Sequence, residues 1–465
     1  LVGMATPDLA QRLSDTRDRW LVVTRNASPE TADALRATGL RGLYLTPIRR
    51  RAYPLGAAAG HLTGFMTYDG DALYGLEQRY DILLTGRPGR MARAVGTTPR
   101  SYLAPTPGTS LLLTIDRDLQ LAAAAALADG VATENASGGS IIVVEPATGN
   151  ILAMTSLPAY DPNDYGHADA DSFEDPAIAR LYEPGSVLKA LTMAAALDAG
   201  VVAADSTYDD AGYVEYGGAF ITNWDQSIRG TVSMTQLLQH SLNVGAVHLA
   251  AGLGPGRFYA YMEAFGLGSP TGADLAGEVA GLVRTPADAT WHDADLATNS
   301  FGQGIATTPL QMAVAMAAIA NDGVLVTPRV VQAKVPPGSP PRPSPPDPGR
   351  RVIAPEVASR LRHMLRPVVD DYAVAAQLTG YSVAGKTGTS QIPVEGGYDP
   401  DDSLASFVGL LPIDDPAIVI LVKIDRPRHM RAAEAAAPTF RKIAKAAVDI
   451  LDIPPDEAPG PGHGQ

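Results

Sequence analysis

Apolar runs joined by very short turns constrain the fold of this chain more than any other feature. Residues 139–144 and 151–156 are joined by residues 145–150, whose Pro and Gly are typical of a hairpin loop. Residues 404–411 and 417–424 are joined by the turn sequence Pro-Ile-Asp-Asp. Parallel strands need a crossover of about a dozen residues or more, so each of these pairs must be antiparallel. We therefore expect an α+β fold, an antiparallel sheet packed with helices, rather than a doubly wound parallel sheet.

The remaining elements follow from periodicity and from turn residues. The pattern predicts a further strand at residues 382–390 and helices at residues 186–200, 308–320, 355–365 and 435–451.

Composition divides the chain into three parts. Residues 1–107, rich in Arg, Gly and Pro with short strand-like pieces, are expected to form a separate mixed domain. Residues 108–452 hold the sheet and the helices, and residues 453–465 read as a disordered tail. The Pro-rich segment 335–351 is expected to be an exposed extended loop.

Charge and residue usage exclude several classes of function. The 465 residues are 46% hydrophobic and 18% charged, which is typical of a soluble globular protein with a large core. A net charge of -14 argues against a nucleic-acid partner, because phosphate binding needs a concentrated basic surface. Cysteine is absent, so neither a disulfide nor a thiolate metal site can form. No apolar run approaches the roughly 20 residues of a membrane span.

One lysine lies in an apolar helix where an ammonium group would be costly. Lys189 follows Ser186 by three positions, so the two side chains share a helix face, with Ser186 at the helix N-terminus. Burial lowers the pKa of an amine, and a neutral amine can take a proton from a serine hydroxyl. The helix end offers N–H groups to a developing oxyanion. The alternative is a capping serine beside a lysine whose amine reaches solvent.

Two further elements carry polar groups in apolar surroundings. Lys386 lies on a predicted strand between Gly385 and Gly388, which leave room for another backbone to pair with that strand. An edge strand protected by a lysine against aggregation is the alternative. Ser241 and Asn243 could line a cleft and bind a lysine amine and a substrate amide, or could simply cap a helix.

Three short motifs occur here in the order found in penicillin-binding proteins and serine β-lactamases. They are Ser186-Val187-Leu188-Lys189, Ser241-Leu242-Asn243 and Lys386-Thr387-Gly388. Three further segments resemble class B penicillin-binding proteins, the monofunctional transpeptidases of cell elongation and division: RRRAYPLGAAAGHLTGF, YGLEQRYDILLTGRPGR and NSFGQGIATTPLQMAVAMAAIANDG. The resemblance covers about residues 49–451 and implies a pedestal or dimerisation domain at residues 1–107, before a transpeptidase domain at residues 108–452.

The resemblance implies a catalytic role for four residues. Ser186 would be the acylated nucleophile that attacks the bond between the last two D-alanines of a peptidoglycan stem peptide. Lys189 would be its general base, and Ser241 with Lys386 would relay the proton to the leaving amine. β-Lactam antibiotics would acylate the same serine, and neither a metal nor an organic cofactor would be needed.

The resemblance also assigns the substrate contacts. Asn243 would hold a side amide of the substrate, and Gly388 would leave room for its backbone. Thr387 with Thr389 would bind the terminal carboxylate. Backbone N–H groups of Ser186 and Thr389 would form the oxyanion hole.

The cellular setting is likewise an expectation from the resemblance. It implies the extracytoplasmic face of the bacterial cytoplasmic membrane, an N-terminal anchoring helix before Leu1, and a membrane glycosyltransferase partner of the shape, elongation, division and sporulation family. A D,D-carboxypeptidase, a β-lactamase and a non-catalytic β-lactam-binding sensor or scaffold are the alternatives. Leu242 occupies the position where class A β-lactamases have Asp, and this difference disfavours the β-lactamase alternative.

Overall fold

The computed structural model describes residues 6–14, 20–25, 27–48, 50–92, 101–394 and 397–457. The chain divides into two compact units, Leu1–Ala52 with Met66–Asp71, and Tyr53–Phe65 with Ala72–Gln465. The predicted boundary at residue 107 differs from this division, because Leu76 is already buried in the main core of the larger unit.

The described helices are α1 Thr6–Ser14, α2 Pro29–Ala37, α3 Gly60–Thr63, α4 Gly75–Arg79, α5 Asp81–Leu84, α6 Arg117–Glu134, α7 Pro176–Ala179, α8 Leu188–Asp198, α9 Met234–Gln239, α10 Asn243–Ala264, α11 Asp293–Asn299, α12 Pro309–Ala320, α13 Pro355–Pro367, α14 Ala432–Ala435 and α15 Ala437–Ile450.

The described strands are β1 Phe65–Met66, β2 Ala72–Leu73, β3 Arg90–Ala92, β4 Ser101–Leu103, β5 Ser110–Leu113, β6 Gly138–Val144, β7 Ile151–Leu157, β8 Thr207–Asp210, β9 Tyr213–Tyr216, β10 Ala219–Thr222, β11 Gly230–Ser233, β12 Val324–Leu325, β13 Val331–Val335, β14 Arg342–Pro343, β15 Arg350–Arg351, β16 Ala384–Val394, β17 Gly397–Leu411 and β18 Ile418–Asp425.

The larger unit is built on a five-stranded sheet of order β16-β17-β18-β6-β7. Every neighbouring pair in it is antiparallel, as the short turns predict. Successive side chains of β6 point to opposite faces of the sheet and so enter different cores. Ile142 and Val144 pack with α8 and α12. Ile141 and Val143 pack with α6 and α15. The predicted α+β fold is confirmed.

Local sequence signals explain where the main helices begin. Thr308 and Gln311 form a reciprocal capping box at the start of α12, and a proline occupies its first turn. Asp116 accepts hydrogen bonds from the backbone N–H groups of Asp118 and Leu119 at the start of α6. The predicted helix at residues 435–451 corresponds to α15, and only its first residue, Ala435, belongs to the preceding short helix α14.

The C-terminal segment differs from the predicted tail. Ile453 is buried, and its carbonyl accepts a hydrogen bond from the Tyr381 hydroxyl. Asp456 accepts from the backbone N–H of Ser382. The packed chain therefore continues to these residues, and residues 458–465 of the predicted tail lie outside the described residues.

The smaller unit contains α1 and α2. Ser28 caps α2 by accepting from the N–H of Thr31, and Trp20 stacks on Tyr44 at 5.3 Å between ring centroids. In the part of the chain that the structure describes, no helix has both the length and the apolar character needed to cross a membrane.

Candidate active site

Ser186 lies on a tight turn. On one side this turn contacts the loop that contains Gly302, and on the other side it contacts strand β16 at the edge of the sheet. Residues Gly185–Val187 form one 3₁₀ turn ahead of α8, and Gly185 has a left-handed φ of +53°. The Gly185 N–H donates to the Gly302 carbonyl at 3.1 Å. A Cβ on Gly302 would lie 2.2 Å from the Gly185 carbonyl oxygen, and a Cβ on Gly185 would lie 2.8 Å from that of Thr389. Glycine is therefore required for this close approach.

Lys189 is fully buried at the start of α8. Its Nζ donates to the Ser241 carbonyl at 2.6 Å, to Ser241 Oγ at 3.2 Å and to Asn243 Oδ1 at 2.7 Å. Burial, and then the nearby Lys386 ammonium, hold the pKa of Lys189 well below 10.5. This shift favours the neutral amine, which is the form that can accept a proton.

Lys386, on strand β16, contacts Ser241 as Lys189 does. Its Nζ donates to Ser241 Oγ at 3.0 Å and to the Thr387 carbonyl at 3.2 Å. The side chain is fully buried, and burial lowers the pKa of Lys386 to about 7. Two amines with lowered pKa values thus converge on one hydroxyl.

Ser241 is held in a backbone conformation that most residues avoid. Its φ is +55°, and it lies between α9 and α10. This conformation directs both its carbonyl and its hydroxyl to Lys189. Asn243 begins α10, and its Nδ2 donates to the Thr222 carbonyl at 3.0 Å, which orients the amide oxygen towards Lys189. Such strain at a polar cluster is typical of a functional site.

One contact expected from the helical spacing is absent. Within the described residues the Ser186 hydroxyl makes no hydrogen bond, whereas the Lys189 amine is satisfied by Ser241 and Asn243. The spacing places both residues at one end of the helix, but the stronger acceptors on the facing segment determine where the amine points.

The remaining predicted residues lie on β16, which is an edge of the sheet. Gly388 allows the Ser186 segment to approach, since a Cβ there would lie 2.6 Å from the Pro184 carbonyl oxygen. Thr387 is buried and Thr389 is exposed. The Thr389 hydroxyl accepts from the Ala432 N–H at 3.3 Å. The structure thus places Thr387, Gly388 and Thr389 beside the Ser186 turn.

Glu183 is a site residue that sequence reasoning did not single out. It is 8% exposed, and its carboxylate accepts hydrogen bonds from the Gly304 N–H and the Tyr398 hydroxyl. Its place three residues before Ser186 was the available signal, because an acidic residue in a buried apolar stretch is rarely without a partner.

The comparisons with known proteins agree with this geometry. Residues 139–445 match the family model described as the penicillin-binding protein transpeptidase domain. This match covers more than half of the chain, so the chain belongs to the penicillin-binding protein transpeptidase family.

Named relatives and solved structures narrow the comparison to monofunctional enzymes. Stage V sporulation protein D of Bacillus subtilis is 32% identical over 446 residues, which cover 93% of this chain and 69% of that protein. Peptidoglycan D,D-transpeptidase FtsI of Escherichia coli is 30% identical, with 95% of this chain and 74% of that protein covered. Penicillin-binding protein 3 of Mycobacterium tuberculosis, complexed with aztreonam, superposes with a TM-score of 0.79 at 32% identity over 88% of this chain and 91% of that chain. The predicted class B resemblance is confirmed.

Proposed function

We propose that this protein is a serine D,D-transpeptidase that crosslinks peptidoglycan stem peptides through an acyl-enzyme on Ser186, and that β-lactams acylate the same residue. One observation carries the assignment of the site. Two fully buried lysine amines meet at the Ser241 hydroxyl, 3.2 Å and 3.0 Å away, beside the turn that bears Ser186. A purely structural core has no use for this arrangement, because each buried amine carries a desolvation cost.

The acylation step needs a base and a proton path. Neutral Lys189 takes the Ser186 hydroxyl proton as Oγ attacks the carbonyl carbon of the penultimate D-alanine. The tetrahedral oxyanion is stabilised by the backbone N–H groups of Ser186 and Thr389, which lie on adjoining segments. The C–N bond then breaks, and Ser241 with Lys386 delivers the proton to the departing D-alanine amine.

The deacylation step reverses this chemistry with a new amine. The amine of a second stem peptide attacks the acyl carbonyl carbon and gives a proton to the same amine network. The new C–N bond forms, the ester C–O bond to Ser186 Oγ breaks, and the network returns a proton to Oγ. During acylation, Asn243 holds a side amide of the first peptide, and Thr387 with Thr389 binds the terminal carboxylate that leaves with the last D-alanine. These roles extend the motif resemblance and need neither a metal nor an organic cofactor.

The test is covalent labelling by benzylpenicillin, followed by intact mass over hours. We expect one adduct on the wild type, none on Ser186→Ala, and an unchanged adduct on Ser110→Ala, which alters an exposed serine of β5. An adduct that persists in Ser186→Ala contradicts the assignment of the nucleophile. An adduct that is shed within minutes supports a β-lactamase or carboxypeptidase instead, because those hydrolases turn the acyl-enzyme over.

The cellular setting is a finer proposal. Peptidoglycan lies outside the cytoplasmic membrane, which supports a position on its outer face and an anchor helix preceding these residues. A membrane glycosyltransferase partner of the shape, elongation, division and sporulation family is proposed from the family resemblance alone. Co-purification of the native full-length protein with such a polymerase from detergent-solubilised membranes tests the pairing, and recovery without it contradicts the pairing.

A further inference from the structure

The Glu183 carboxylate joins three separate segments near the nucleophile. Its Oε1 accepts from the Gly304 N–H at 2.9 Å, and its Oε2 accepts from the Tyr398 hydroxyl at 3.1 Å. Burial raises the pKa of Glu183, while these two hydrogen bonds and the nearby Arg284 act in the opposite direction. The carboxylate is therefore a buried acceptor with a donor from each of two other segments.

Each partner segment touches the Ser186 turn or the substrate edge. Gly304 belongs to the loop in which Gly302 packs directly on Gly185. Tyr398 pairs with Pro393 in the outer part of the β16–β17 ladder. This outer ladder continues, past a register shift after Gln391, the edge that carries Lys386.

The outer ladder has little apolar burial to hold it. Val394 is 48% exposed and Tyr398 is 37% exposed. Hydrophobic stabilisation scales with the area removed from water, so it contributes little to the position of these residues. The hydrogen bond from the Tyr398 hydroxyl to a buried carboxylate ties the ladder to the nucleophile segment.

We propose that Glu183 and Tyr398 are positioning residues, which together hold the outer β16–β17 ladder in line with the strand edge that receives the substrate backbone. The inference rests on the proposed function of that edge. Glu183 has a second effect through Gly304, because it also fixes the loop on which the Ser186 turn packs. Tyr398 acts on binding alone, whereas Glu183 acts on binding and on chemistry.

The experiment separates these two effects. Acylation by benzylpenicillin is followed at increasing drug concentration, which gives the Kd of the noncovalent complex and the acylation rate constant k2. For Tyr398→Phe we expect Kd to rise about tenfold with k2 within about twofold of wild type, because one hydrogen bond to a buried charged group is lost. For Glu183→Ala we expect Kd to rise and k2 also to fall at least about tenfold.

Two variants show whether the effect is specific. Glu183→Gln keeps an oxygen acceptor for the Gly304 N–H, so k2 is expected to recover to within about threefold of wild type, a partial loss for a neutral acceptor. Tyr381→Phe is the matched control, because its hydroxyl donates to the Ile453 carbonyl, away from the nucleophile segment. We expect it to leave both Kd and k2 unchanged.

The outcomes are distinguishable. If Tyr398→Phe behaves like Tyr381→Phe, or if the effects of Glu183→Ala and Tyr398→Phe on Kd add fully in the double variant, the inference is overturned. A coupled, less-than-additive loss supports it. If the wild type itself is not acylated, the proposed function fails, and that result is recorded before any variant is compared.

Discussion

The two faces of the central sheet are built from the same strands and differ in what they bury. The face that meets α6 and α15 is apolar, with Phe407 against Phe440 at 4.7 Å between ring centroids. The face that meets α8 and α12 includes two buried lysines, Lys386 and Lys423, among its apolar residues. One face therefore contributes stability by packing, while the other accepts a desolvation cost in exchange for chemistry.

We call the face that meets α8 and α12 the polar face, and the face that meets α6 and α15 the apolar face. Lys189 of α8 contacts the same Ser241 hydroxyl as Lys386 of the polar face, and its replacement tests this difference most strongly. For Lys189→Met we expect the rate of acylation by benzylpenicillin to fall by about 10²–10⁴, since a general base is lost. The free energy of unfolding should change by no more than about 2 kcal/mol, because relief of desolvation offsets the lost hydrogen bonds. Stopped-flow kinetics measures the acylation rate, and urea unfolding of the same preparation measures the free energy of unfolding. A large loss of stability with a small loss of rate would reverse the roles of the two faces.

Truncating an aromatic residue of α15 that packs against the apolar face should give the opposite pattern. Phe440 is fully buried, and Phe440→Ala is expected to lower the free energy of unfolding by about 3–5 kcal/mol through the cavity that it leaves. Acylation per folded molecule should remain within about twofold of wild type, as judged by a titration of active sites with labelled penicillin. A specific loss of acylation in fully folded protein contradicts this expectation.

The polar face should also make stability depend on pH. The pKa of Lys386 falls from 10.5 to about 7 on folding, so between these values the unfolded chain binds more protons than the folded chain. The free energy of unfolding should therefore rise with pH across this window, by about 1.4 kcal/mol per pH unit for one lysine. Urea unfolding at pH 7, 8 and 9 measures the slope. Lys386→Met should reduce the slope, and an unchanged slope in this variant would show that other groups cause it.

The smallest effect on the free energy of unfolding is expected when a single methylene is removed from the apolar face. Ile420 is fully buried in β18, and Ile420→Val should cost about 0.5–1.5 kcal/mol of unfolding free energy without changing acylation. The matched change Leu421→Val lies next in sequence but on the polar face. If only the second variant slows acylation, packing of that face positions the lysines. If neither variant slows acylation, the active site is insensitive to a small change of packing in β18.

The apolar face and the antiparallel sheet could be predicted from the sequence, because hairpin turns and alternating apolar residues are local signals. The same holds for the three motifs, whose residues the structure brings together. The sequence predicted that Ser241 and Asn243 could bind a lysine amine, but it could not show that this amine belongs to Lys189, since the contact depends on the left-handed φ of Ser241 and on a segment 52 residues away. The hydrogen bond from Tyr398 to Glu183, 215 residues apart, left no local pattern.

The boundaries of the compact units differ from the predicted domain boundaries for a related physical reason. Composition suggested a division at residue 107, but Leu62 and Leu76 pack in the main core of the larger unit. Likewise, polar and Pro-rich composition at residues 453–457 suggested disorder, whereas Asp456 caps the entry to β16 by binding the Ser382 N–H. Tertiary contacts determine whether such a segment packs on the fold, whereas composition indicates only its average tendency to be disordered.

Strand β16 lies at the end of the sheet order, and in the described part of the chain it is paired along one side only. A ligand that joins the free side is recognised through main-chain amides and carbonyls, which every residue type except proline supplies in the same way. A substitution that displaces the main chain of this strand would therefore weaken the binding of a peptide and of a drug that pairs in the same way. Variants that separate the two ligands are expected where side chains contact the ligand, at Thr387 and Thr389 and in the elements that flank the strand.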